Sequence, residues 1–257
     1  MVISFGQLMS FFLMLARIMG VFLQAPIFNS RSFPASAKIG FAIWIALVLW
    51  FVTPITPNLP FSLAGFVILL LGEVALGLII GLICNIIFIG LQAAGEIMDM
   101  QMGLSVATAL DPVFGSVISV VARLIFWIAL VAFLFFDGHH LILTTLQQSF
   151  RMIPAGQFAN FASRPALFEL ISLGTMLWST AIRIAAPIVL LIFLSDFSFG
   201  IVSRVAPQVN VFMLGFQIKP SLGLIGILFT LPVLLNQIQK LISIMAEKTL
   251  TVLMYLK

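Results

Sequence analysis

Apolar runs follow one another through this chain almost without a charge inside them: residues 3–23, 39–52, 61–91, 117–136, 166–194 and 220–235. About 20 such residues carry an α-helix across a hydrocarbon core of roughly 30 Å. Only 8% of the chain is charged and 62% is hydrophobic, whereas a soluble domain has about 25% charged residues. The chain has too few polar groups to cover a water-facing surface. The expected fold is therefore all-α, a polytopic membrane-type protein with six long hydrophobic helices packed as hairpins. The runs are continuous rather than alternating, which argues against a β-barrel. No hydrophilic stretch is long enough to fold separately, so one domain is expected.

The net charge of +4 is carried by 12 scattered basic residues, with no run that suggests nucleic acid or a lipid-headgroup patch. The one cysteine, Cys84, lies in an apolar run and reads as packing. Residues 1–16 hold no Lys or Arg, and no small-residue cleavage site follows. The first apolar run is therefore expected to stay in the mature protein.

The third run carries more information than its length. Glu73, Gly77, Gly81 and Asn85 recur every four residues, so they share one helical face. The spacing of Gly77 and Gly81 lets a neighbouring backbone come close. Thr175, Ser179, Arg183 and Pro187 form a second such stripe in the fifth run, where the proline predicts a kink. The segment 196–219 reads as broken by Gly200, Pro207 and Gly215, and the tail 236–257 as a separate amphipathic helix. The positive-inside rule gives no orientation. Simple alternation places Arg31, Lys38, Arg204 and Lys219 on one side and Arg151, Arg164, Lys240, Lys248 and Lys257 on the other.

Between the third and fourth runs lies GEIMDMQMGLSVATALDPVFGS, residues 95–116, with Glu96, Asp99, Asp111 and three methionines but no Lys or Arg. It is either a solvated loop or a pore element. If its start is helical, Met98 and Met102 share a face, and so do Glu96 and Asp99. Methionine is flexible and polarisable, suited to sealing or to filling a core. Four ionisable residues, Arg17, Glu73, Arg123 and Arg183, interrupt apolar runs. Each costs at least about 2.5 kcal/mol at a bilayer centre unless paired or hydrated. One acid against three arginines makes a poor proton relay and favours helix-packing ion pairs or partner contacts. His139 and His140 are adjacent, so on a helix they diverge by about 100°, unlike metal pairs spaced i,i+4. With Asp137 and Gly138 they read as a helix end. No phosphate loop, nucleophile elbow or catalytic carboxylate pair is seen, so no enzyme, metal or cofactor is expected.

The block GEIMDMQMGLSVATALDP, the helix ending in FFDGHH, and AAPIVLLIFLSDFSFGIVSRVAPQVNVFMLGFQIKPSLGL together resemble the FliR/SctT family of type III secretion export-gate subunits. The likeness spans nearly the whole chain, with departures at Asp137 and Gln217, where the family pattern leads us to expect Asn and Pro. The resemblance implies a FliP-like first part, residues 1–165, and a FliQ-like last part, residues 166–257. It implies a helical gate built with several FliP and FliQ homologues and served by a FlhB-type switch protein. It also implies a place in the bacterial inner membrane at the flagellar basal body, and unfolded flagellar proteins as substrates. The core of such a gate is displaced from the bilayer plane, and its arginines then face partner subunits. Carried onto this sequence, the gate and plug candidates are Met98, Met100, Met102, Gly103, Asp111, Pro112, Val113 and Phe114. Those for helix packing or partner contact are Arg17, Glu73, Gly77, Gly81, Arg123 and Arg183. The rival readings are the virulence branch of the same family, a secondary transporter built around Glu73, and an intramembrane enzyme. The transporter reading lacks an inverted repeat.

Overall fold

The computed structural model describes residues 5–26, 28, 34–53, 62–105 and 119–257. Among them are seven helices and no strand. They are α1 (Phe5–Gln24), α2 (Ala35–Val52), α3 (Leu63–Met102), α4 (Val120–Phe135), α5 (Gly138–Met152), α6 (Arg164–Val205) and α7 (Val211–Leu256). Five of these are long and apolar enough to cross a membrane, and six spans result if α4 and α5, bent by 67°, count as one. The chain is an all-helical membrane protein.

Local chemistry sets the ends. Pro34 stands at the N-cap of α2 in extended conformation. The Ser119 hydroxyl accepts the Ala122 N–H at the start of α4. Pro165 falls in the first turn of α6, where its fixed φ is preorganised and its missing N–H costs nothing. Asp137 takes a left-handed conformation, φ 56°, and turns the chain from α4 into α5.

Three helices run further than expected. The third apolar run continues through Gly95 to Met102, so the first part of the central stretch is helix. The segment after Leu194 prolongs α6 to 42 residues, and the amphipathic tail belongs to a 46-residue α7. Pro187, Pro220 and Pro232 lie inside these helices, as membrane-type helices tolerate. At about 1.5 Å per residue α6 and α7 are roughly 63 and 69 Å long, twice a hydrocarbon core. Only 22% of the apolar window of each is buried within the chain, against 56% for α1.

The chain forms two compact units that interleave in sequence: residues 1–87, 137–174 and 242–257, and residues 88–136 and 175–241. In the first unit α1 lies against α2 and α3. Phe22 stacks on Phe28 at 4.1 Å, and the Trp50 indole donates to the Ser10 hydroxyl at 3.3 Å. Lys248 pairs with Glu169 at 2.5 Å, and the Asn160 N–H donates to the Leu256 carbonyl. In the second unit Phe88 packs edge-on against Phe126 and Phe133. Lys219 pairs with Asp196 at 2.5 Å across the turn between α6 and α7.

Candidate functional site

The central stretch leaves and returns through two helix ends in the second unit. Gly95 lies so close to α4 that a Cβ there would strike the Ala122 backbone. One turn later the Asp99 carboxylate, 2% exposed, accepts the Val121 N–H at 3.2 Å. Helix N-termini carry unsatisfied donors and partial positive charge, so this carboxylate fixes the start of α4 to the end of α3. The single face expected of Glu96 and Asp99 is divided: Glu96 is exposed and Asp99 is buried. The helix rotates by about 300° over three residues, and the boundary between inner and outer faces falls between them.

The methionines divide in the same way. Met98 and Met102 are interior, and the Met102 thioether fills the space that a side chain at Gly223 would take. Met100 is 69% exposed. Of the three, Met100 alone presents its side chain to the surroundings of this chain. Gly103 closes α3 at φ 79°, with its N–H on the Met100 carbonyl and its α-carbon facing the Phe216 ring. Met100, Gly103, Phe199, Phe212, Phe216 and the Lys219–Asp196 pair border an open recess of about 450 Å³. Asp111, Pro112, Val113 and Phe114 lie outside the described residues.

The stripe on α3 faces α1. A Cβ on Gly77 would collide with the Arg17 carbonyl, and one on Gly81 with Val21 and Gln24. One turn before Gly77, Glu73 accepts from Arg17 Nε at 2.6 Å and from the Gly156 N–H at 2.8 Å. The remaining guanidinium nitrogens donate to the Ser149 hydroxyl and the Ile153 carbonyl. The Phe150 ring lies 4.3 Å from Arg17 Cζ. Arg17 is 0% exposed. Of the two roles expected for Arg17, helix packing or partner contact, its surroundings in this chain are those of helix packing: close approach at Gly77 seals it beside Glu73.

Arg123 and Arg183 differ. Both are exposed, and neither side chain has an ion-pair or hydrogen-bond partner among the described residues. Arg183 borders a recess of about 190 Å³ with Met98, Ile125, Pro187, Thr230 and Gln237.

At the corner between α4 and α5, Asp137, His139 and His140 bring ligand atoms within 4.8 Å of one another. His140 Nδ1 is 3.4 Å from Asp137, and His139 Nδ1 is buried without a hydrogen-bond partner among the described residues. The divergence expected of adjacent histidines is not seen: the two rings lie 4.3 Å apart at the start of α5. Asp137 stands at the helix end expected there, at the N-cap of α5, but makes no side-chain cap. The N-terminus of α5 opposes a cation at this corner.

Sequence reasoning missed the clamp at Gly95, Asp99 and Ser119. A small residue one turn before a carboxylate, ahead of a serine that opens a helix, was its available signal. Nothing in the sequence marks Gly223 as the seat of Met102.

The family described as "Bacterial export proteins, family 1" matches residues 8–245 of the chain. The flagellar biosynthetic protein FliR of Bacillus subtilis is 30% identical, over 93% of this chain and 92% of its own length. FliR of Pectobacterium carotovorum is 34% identical, over 87% of this chain and 85% of its own. FliR of Escherichia coli is 30% identical over 83% and 81%.

Proposed function

The chain belongs to the bacterial export proteins of family 1, and from that premise we propose that it is a non-enzymatic, pore-forming subunit of the flagellar type III export gate. It works in the bacterial inner membrane at the flagellar basal body. FliP and FliQ homologues assemble with it, a FlhB-type protein switches the export, and unfolded flagellar proteins are the cargo. Residues 1–165 take the FliP-like place in that assembly and residues 166–257 the FliQ-like place.

The observation that carries this reading is likeness to FliR proteins over most of the chain. Physical support comes from α6 and α7. Helices twice as long as a bilayer is thick, each with only 22% of its apolar window buried in the chain, have more length than lipid alone can cover. The flagellar branch is preferred over the virulence branch because these relatives are flagellar by name.

Residues 95–116 act as the gate. Gly95 and Asp99 hold the end of α3 against the start of α4, which Ser119 caps. Exposed Met100 and the aromatic border of its recess form a soft rim for an extended chain in transit, while Met98 and Met102 keep the rim helix in place. Deletion of residues 109–116 in the co-expressed complex tests this. The gate reading expects ion leakage through the membrane to rise severalfold. Conductance at the wild-type level contradicts it.

A further inference from the structure

We propose that Asp137, His139 and His140 form a site for one divalent transition-metal ion of the zinc, nickel or copper class, at the start of α5. The inference rests on this corner alone and stands apart from the export-gate reading.

The donor set decides the class of ion. Two imidazoles and one carboxylate suit zinc, copper, nickel and iron(II), whereas calcium and magnesium call for shells of oxygen. The three residues offer ligand atoms within 4.8 Å of one another. Ligands bound at roughly 2.0–2.2 Å stand about 3.4 Å apart around a tetrahedral ion. The Asp137 carboxylate and His140 Nδ1 are already 3.4 Å apart. His139 lies beside them, its ring centre 4.3 Å from that of His140. Side-chain exposures of 69% for His140 and 74% for Asp137 leave both free to close the remaining distance, and leave the ion a way in. Three protein ligands also leave a coordination position for water.

These groups are not used up elsewhere. Asp137 makes no side-chain cap, and His140 is its one ion-pair partner among the described residues. His139 Nδ1 is buried without a hydrogen-bond partner among the described residues. Such an atom is costly to leave unsatisfied, and an ion among the three side chains gives that ring a partner. Asp137 is the one non-glycine residue among those described with a positive φ, 56°. Glycine takes that conformation freely, so what Asp adds at this position is its carboxylate. The positive end of α5 disfavours a cation, and the Asp137 charge offsets it. The nearest basic residues along the chain, Arg123 and Arg151, are each 14 positions from Asp137. Held by the residue before α5 and by its first turn, the ion closes a helix end that no side chain caps.

The chain has only two histidines, so an imidazole–metal signal reports this corner. The test takes the full chain in detergent, purified through a tag without histidine and stripped with EDTA, and titrates it with Zn²⁺ beside His140→Ala and Asp137→Asn. Asn keeps an acceptor oxygen and tolerates the left-handed backbone, but lacks the charge. We expect one Zn²⁺ per wild-type chain and a melting temperature that rises with Zn²⁺. Affinity should fall at least about tenfold in His140→Ala, the lower end of what loss of even an outer-shell partner does, and by a smaller factor in Asp137→Asn. With Cu²⁺ as the probe, electron paramagnetic resonance should show two nitrogen ligands in wild type and one in His140→Ala. In EDTA both variants should melt with wild type, because both side chains are exposed, and this separates lost metal from lost folding. Absence of stoichiometric Zn²⁺ uptake by wild type overturns the inference, as does equal affinity in His140→Ala. So does Cu²⁺ bound without nitrogen ligands, which would place the ion on carboxylates elsewhere.

Discussion

Arg17 and Glu73 are the residues on which the first unit turns. Removing one member of a buried pair leaves the other charged and unsolvated, at a cost of about 3–5 kcal/mol. Arg17→Met and Glu73→Gln should each lower the unfolding midpoint in detergent sharply. The double variant should lose clearly less than the sum, because the partners share one network. Additive losses would show that the two side chains act independently. The sequence marks both residues as anomalies in apolar runs. It does not say whether such a charge turns inward or outward, and the answer differs by position. Arg17 stays inside because Gly77 lets α1 and α3 touch, while Arg183 stays outside because its stripe faces away from its own chain.

At the scale of elements, α1 and α3 meet through glycine. Gly77→Leu would drive a branched side chain into the Arg17 carbonyl, and overpacking of this kind costs about 1–3 kcal/mol or more. We expect the variant to accumulate to a fraction of the wild-type level and to melt lower. Gly40→Leu, at a position with open space around it, should leave both unchanged. Equal behaviour of the two variants would refute the close-approach account. Helix existence was legible from apolar runs, and so were the ends at Gln24, Val52 and Phe135, whereas the far ends of α3 and α6 and the extent of α7 were not. Gly95, Gly200 and Gly215 look like breakers in one dimension, yet α3, α6 and α7 continue through them because packing and the membrane-type setting outweigh propensity. The paired methionines were legible as one face. That this face is interior and Met100 exposed depends on Gly223, which lies about 120 residues further along the chain.

For the whole molecule, the undecided charge topology and the uncovered lengths of α6 and α7 belong together. A chain whose apolar helices overrun the bilayer and whose charges favour neither side does not read as a finished transporter. Under the proposed function it is one member of an assembly that supplies the missing surface. The most direct measurement is the intact mass of the complex captured on this chain when it is co-expressed with FliP and FliQ homologues. The account predicts one hetero-complex containing a single copy of this chain with several copies of each partner, and poor recovery of the chain when it is expressed alone. A stable monomer or homo-oligomer that ignores both partners would contradict it.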